Sequence, residues 1–305
     1  MIPAPLREAL GEVLGDRVRF DAPLSRCTSL RVGGPVDALA TPESRAELAA
    51  LLELLAAHRI PRSVIGAGFN TLACDGRLSG VVIQLGRLRR LEERPGQRLR
   101  VEAGVSHSQL TNFCIQRGLA GLEFGAGIPG SIGGWLAMNA GIPEREVKDA
   151  VVEIEVMSPC GRKRRHLPRA RLHFAYRGLR GLAPGSVILS ALLAVEPCEP
   201  ARVRARVQAL LARRAATQPL DVPSCGSVFK NPPGDFAGRL IDSVGLKGRR
   251  IGGAQISPVH ANFIANTGGA TAADVLALIE EARRAVWRAT GRRLEPEVRV
   301  LGCKR

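Results

Sequence analysis

Aromatic residues make up only 4% of the 305 residues, and Tyr176 is the single tyrosine. The cores must therefore be built from Leu, Val, Ile and Ala, and stacking platforms for single-stranded nucleic acid are in short supply. Long apolar runs are missing as well. None approaches the roughly 18 residues that a bilayer span needs, so no membrane partner is expected. The first segment, MIPAPLREALGEVLGD, carries acids and amphipathic spacing where a signal peptide has a basic end and an apolar centre. The seven cysteines are an odd count with no C-x-x-C pair, which argues against a disulfide framework and a zinc site. Five histidines show no ligand spacing, so no metal is expected. A cytoplasmic location is the natural inference.

Lysine is scarce too, at five residues, so the net charge of +16 is almost wholly arginine. The arginines are scattered from Arg7 to Arg305, and their densest cluster, Arg162 to Arg165, adjoins a Pro-Cys-Gly turn like a hairpin tip. A nucleic-acid binder gathers its basic residues on one element. The scatter favours a genome bias towards arginine, with an anionic small-molecule ligand as a bonus, and no nucleic-acid partner is expected.

What the chain does have is glycine, most tellingly in Gly125–Gly141, GAGIPGSIGGWLAMNAG. Glycine costs backbone entropy, so such a run must serve positive-φ geometry or close approach to a ligand. Consecutive free N–H groups can cradle phosphate, and a packing corner between strands is the plain alternative. A second loop, Gly66-Ala-Gly68-Phe-Asn70, follows a strand at Arg62–Ile65. It leads to the Asp75-Gly76 turn and the strand Val81–Leu85 rather than to a helix, so a Rossmann fold is rejected.

Elsewhere, Ser44-Arg-Ala-Glu47 reads as a capping box for a helix burying Leu48, Leu51, Leu52 and Leu55. Strands are expected at Val36–Ala40, Arg98–Ala103, Val151–Met157 and Val187–Val195, with helices near Ser108–Arg117 and over 200–214. A final helix is capped by Thr271 with Asp274, buries Val275, Ile279, Ala282 and Val286, and stops at Gly291. Alternation in a closing strand, Leu294–Leu301, sets Glu295, Glu297 and Arg299 on one face, with Leu294, Val298 and Val300 on the other.

Three segments carry candidate chemistry. Cys225-Gly-Ser-Val-Phe-Lys-Asn231 gathers a hydroxyl, a cation and an amide, an inventory suited to an anionic substrate with a polar reacting centre. Tyr176-Arg177 offers a guanidinium able to clamp a carboxylate with two hydrogen bonds. On the closing strand, a carboxylate lining a cleft would be a candidate general acid. His260 in Ser-Pro-Val-His-Ala-Asn262 is a candidate ligand contact. Each of these has an ordinary structural reading when taken alone.

Taken in order, VIGAGFN, GLEFGAGIPGSIGG, MNAG, YR, GSVFKNP, LKG, SPVHANF and EPEVR, the chain resembles the UDP-N-acetylenolpyruvoylglucosamine reductase family over nearly its whole length. The resemblance implies an α+β fold. Its FAD-binding half is of the vanillyl-alcohol-oxidase type with two subdomains, at 1–60 (closed by strand 294–305) and 61–197, followed by a substrate domain at 198–293. The Leu193–Ser224 connection is too short for the substrate-capping insertion of some members, which implies the shorter subtype.

The resemblance also implies FAD as cofactor, NADPH as co-substrate, a UDP-sugar substrate and a monomer. FAD contacts are implied for Gly66, Ala67, Gly68, Phe69, Asn70 and Thr71, and for Gly127, Ile128, Pro129, Gly130, Ser131, Gly133 and Gly134. Asn139, Ala140, Gly141 and Arg299 complete that set. Ser227 matches the proton-donating serine, and Arg177 and Glu297 match the residues that stabilise the enol-like intermediate. Tyr176, Lys230, Asn231, Lys247 and His260 match positions that hold the substrate. The chain departs from the family pattern at Phe69, usually serine, at Trp135, usually small, and at Ile142–Arg145, usually Ala-Tyr-Gly. A related flavin oxidase and an arginine-rich nucleic-acid binder remain the alternatives.

Overall fold

The structure is a computed structural model that describes residues 2–302. The chain forms two compact units: Met1–Phe20, Ala38–Ala67 and Gly80–Arg214 in one, and Asp21–Asp37, Gly68–Ser79 and Ala215–Arg305 in the other.

In the first unit, α1 (Ala4–Leu14) and α2 (Arg45–Ala57) cover a sheet ordered Val18–Pro23, Pro35–Ala40, Leu78–Gln84, Arg62–Ile65. The expected stripe of α2 is fully buried at Leu48, Leu51, Leu52 and Leu55. Only half of its capping box forms. Ser44 Oγ accepts from the Glu47 N–H at 3.1 Å, while the Glu47 carboxylate takes the Glu43 N–H and pairs with Arg17 at 3.1 Å. A competing guanidinium decided the matter. Next comes an antiparallel five-stranded sheet ordered Arg164–Pro168, Val151–Met157, Val187–Ala194, Arg98–Glu102, Leu91–Arg94. On it lie α3 (His107–Arg117), with a complete Ser106–Gln109 capping box, and α4 (Ile132–Met138). The turn at Pro159–Gly161 does form a hairpin tip, and Arg162, Lys163, Arg164 and Arg165 on it are all exposed. The basic helix α5 extends over Pro200–Thr217.

In the second unit, α6 (Ala237–Ser243) and α7 (Ala272–Thr290) pack on an antiparallel sheet ordered Ser224–Ser227, Phe263–Asn266, Ala254–Ile256, Arg250–Ile251. Helix α7 has the expected cap, in which Thr271 and Asp274 exchange side-chain hydrogen bonds with each other's N–H, and it ends at Gly291 with φ +67°. Val275, Ile279, Ala282 and Val286 are all buried. A further cap comes from outside the helix: the Asp75 carboxylate accepts from the N–H groups of Ala272 and Ala273 at 2.7 and 3.0 Å.

The division differs from the expected three segments. The closing strand is short, Arg299–Leu301, and pairs in parallel with Thr71–Ala73. Leu294 and Val298 sink into one core with Leu30, Leu72, Phe229 and Val286. Segments 21–37, 68–79 and the C-terminal residues therefore form a common unit with the expected substrate domain. Val300, expected on the apolar face, is 45% exposed. Among the described cysteines, Cys74 is disulfide-bonded, whereas Cys114, Cys160, Cys198 and Cys225 carry free thiols.

Candidate active site

The two glycine loops meet within the first unit. A Cβ at Gly66 would stand 2.5 Å from Ser131 Oγ, and one at Gly133 3.0 Å from the Ala103 methyl. Glycine is required there for closeness. At Gly130 the reason is conformational, since φ is +121° and the space in front of it is open. The Gly127 carbonyl accepts from the Arg214 guanidinium of α5. Neither the Gly130 nor the Gly134 N–H donates a backbone hydrogen bond among the described residues. Unpaired amides, open space and missing side chains would fit the diphosphate of a dinucleotide, which makes Gly66–Ala67 and Gly127–Gly134 a candidate cradle.

Trp135 does not intrude on this cradle. Its ring is buried beneath α4, edge-on to His107 at 4.6 Å between centroids and 5.2 Å from Phe124. Gly125 makes room for it, since a Cβ there would lie 3.1 Å from the indole. Burial, with the Arg214 charge nearby, pushes the His107 imidazole down to about 3. Sequence reasoning missed His107, because only the fold encloses it.

The remaining residues of the first loop belong to the second unit. Gly68, at φ +76°, passes so close to the backbone that a Cβ would lie 2.0 Å from the Cys27 carbonyl. Phe69 is exposed, and its carbonyl abuts Gly226. Asn70 Nδ2 donates to the Glu297 carbonyl at 3.2 Å, and the Asn70 carbonyl accepts from the Arg299 N–H at 3.1 Å.

Ser227 ends its strand at a register shift after Gly226, which has φ +73°, and it is partly exposed. A bulge of this kind re-aims a side chain away from the ladder. Glu297 lies beside it: its N–H donates to the Val228 carbonyl at 2.7 Å. The Cys225 thiol is pushed up to about 12, first by burial and further by the Glu297 charge. Segments about 70 residues apart thus bring a hydroxyl and a carboxylate to one strand end.

The other expected substrate residues have local partners. Lys230 pairs with Glu295 at 2.5 Å and Lys247 with Asp242 at 2.9 Å, while Asn231 Oδ1 accepts from the Ala237 N–H at the start of α6. His260 Nδ1 accepts from the Asn262 N–H at 3.2 Å, and its ring lies 3.0 Å from where a Gly238 Cβ would stand. Burial, and to a lesser degree the Lys247 charge, lowers its pKa. In the first unit, Arg177 takes φ +56° in the turn of the hairpin His173–Ala175/Gly178–Arg180, over the ring of exposed Tyr176.

Asn139, a position expected among the cofactor contacts, has a fully buried side chain committed to protein: Nδ2 donates to Glu146 Oε2 and to the Ala175 carbonyl, and Oδ1 accepts from the Lys148 N–H.

Comparison with known proteins is consistent along the chain. Residues 218–301 match the family model of the UDP-N-acetylenolpyruvoylglucosamine reductase C-terminal domain, and 36–165 match an FAD binding domain. The UDP-N-acetylenolpyruvoylglucosamine reductase of Geobacter metallireducens is 46% identical, over 97% of this chain and 96% of that protein. The crystal structure of the Thermus caldophilus reductase superposes with a TM-score of 0.80 at 36% identity, covering 93% of this chain and 99% of that one. A glucose dehydrogenase, Phl p 4.0202, reaches a TM-score of 0.51 at 14% identity over 64% of this chain and 44% of its own, a likeness of fold alone. The FAD-binding part therefore has the vanillyl-alcohol-oxidase type of fold that the family resemblance implies. Matched along almost its whole length, the chain belongs to the UDP-N-acetylenolpyruvoylglucosamine reductase family of FAD-dependent oxidoreductases that act in peptidoglycan precursor synthesis.

Proposed function

We propose that the chain reduces UDP-N-acetylglucosamine enolpyruvate to UDP-N-acetylmuramate at the expense of NADPH, as a cytoplasmic monomer without nucleic-acid or membrane partners. FAD, when bound, would supply hydride chemistry, with NADPH as the reductant and C3 of the enolpyruvyl group as the acceptor. The Ser227 Oγ gives the proton to C2. A serine hydroxyl is a weak acid, so it serves only where developing charge meets preorganised partners. Arg177 and Glu297 supply these by polarising the substrate carboxylate and stabilising the enol-like intermediate. Lys230, Asn231, Lys247, His260 and Tyr176 hold the UDP-sugar, and Lys230 and Lys247 exchange their carboxylate partners for diphosphate or share them with it. For the cofactor, Gly66–Thr71 and Gly127–Gly134 provide backbone donors, with Ala140, Gly141 and Arg299 at the margins of the site. Asn139 serves this site only indirectly.

The observation that carries the reading is the bulged strand end, where Ser227 and Glu297 come together through Val228. The test is NADPH consumption by the flavin-loaded protein with and without the enolpyruvyl sugar nucleotide. Strict dependence on the sugar nucleotide is expected, and a rate indifferent to it would sink the proposal in favour of a related flavin oxidase.

A further inference from the structure

We infer that Asn139 is a positioning residue for Arg177, an inference that rests on the role proposed for Arg177 above. Asn139 caps the end of α4 in the left-handed region, at φ +43°. Its side chain is 0% exposed. The amide is a three-way tie: Nδ2 reaches Glu146 Oε2 at 2.9 Å and the Ala175 carbonyl at 3.1 Å, and Oδ1 takes the Lys148 N–H at 3.2 Å. Glu146 is itself held by Lys148 Nζ at 2.6 Å. The helix whose first turn includes Gly133 and Gly134 is thus fastened, at its other end, to the residue two before Arg177.

That fastening matters because Arg177 sits at φ +56°, where a non-glycine residue stays only when its surroundings hold it. Ala175 closes the hairpin ladder opposite Gly178, leaving Tyr176 and Arg177 as the turn. With the Ala175 carbonyl pinned by a buried amide, the turn has a fixed base from which the guanidinium is aimed. A buried, fully used amide of this kind specifies one geometry.

Asn139→Gly tests this, since glycine keeps the left-handed backbone and removes only the amide. The two half-reactions are followed by stopped-flow flavin absorbance. Flavin reduction by NADPH should stay within about twofold, whereas reoxidation by the enolpyruvyl sugar nucleotide should slow by about tenfold to a hundredfold. In an Arg177→Ala background the same change should add nothing, because the amide acts through the lost guanidinium. Amide exchange over residues 173–180 should also quicken in Asn139→Gly. Should the glycine variant not fold, Asn139→Asp, which is isosteric but lacks both donors, should give the same pattern. Multiplicative effects of the two substitutions, or equal slowing of both half-reactions, would overturn the inference. If Arg177→Ala itself leaves reoxidation intact, the role of Arg177 is what fails.

Discussion

The two units carry candidate functional segments made of different materials. The cradle at Gly66 and Gly127–Gly134 is made of backbone: what matters is the side chains that are absent and the amides left open. The strand end at Ser227 is made of side chains, a hydroxyl and a carboxylate brought from distant segments. A backbone site tolerates change in its surroundings but not an added Cβ, while a side-chain site fails with its functional group and keeps its fold. Phe69 and Trp135 illustrate the first half of that contrast. Both are bulky in glycine-rich segments, yet one is turned outward and the other lies in the core.

The sharpest way to break the contrast is Ser227→Ala. Loss of a proton donor is expected to slow flavin reoxidation by the sugar nucleotide by about 10²–10⁴-fold, with NADPH-driven bleaching and thermal stability unchanged. A variant equally slow in bleaching would place Ser227 in the cradle rather than in the chemistry. Next in size is Gly133→Ala. Its methyl would press on Ala103, so the expected outcome is about 1–3 kcal/mol of lost stability and FAD released on gel filtration. Stability with FAD retained would show that closeness is not what that glycine supplies.

The His107 imidazole under Trp135 gives a pH signature to the cradle side. Unfolded, it takes a proton near 6.5, and folded only near about 3. Between those values the unfolded state binds more protons, so stability is full above pH 6.5 and falls as pH drops through the window. The slope approaches ~1.4 kcal/mol per pH unit for one proton. Urea unfolding of His107→Phe should show that slope removed. The smallest effect is expected at Thr271→Ala, a helix cap outside both segments in sequence. It should cost about 1 kcal/mol, read as roughly fivefold faster amide exchange in the first turn of α7 and no change in either half-reaction.

Local features were legible in advance. The buried stripe of α2, the cap and stop of α7 and the missing Rossmann helix all follow from patterns within a few residues. The half-formed Ser44 box was not, because Arg17 lies far away in sequence and competes for Glu47. The side-chain partners of Asn139 were not legible for the same reason. An asparagine between Met138 and Ala140 carries no mark of whether its amide faces a ligand or three protein partners.

By itself, the sequence determined the elements, the order of the glycine loops and the family, because propensity, capping and motif order are encoded along the chain. The tertiary structure alone decided which unit takes the closing strand, what the Asn139 amide holds, and that Ser227 and Glu297 share one strand end. Those outcomes depend on pairings and burial between residues far apart in the chain, and no local pattern of residues records them.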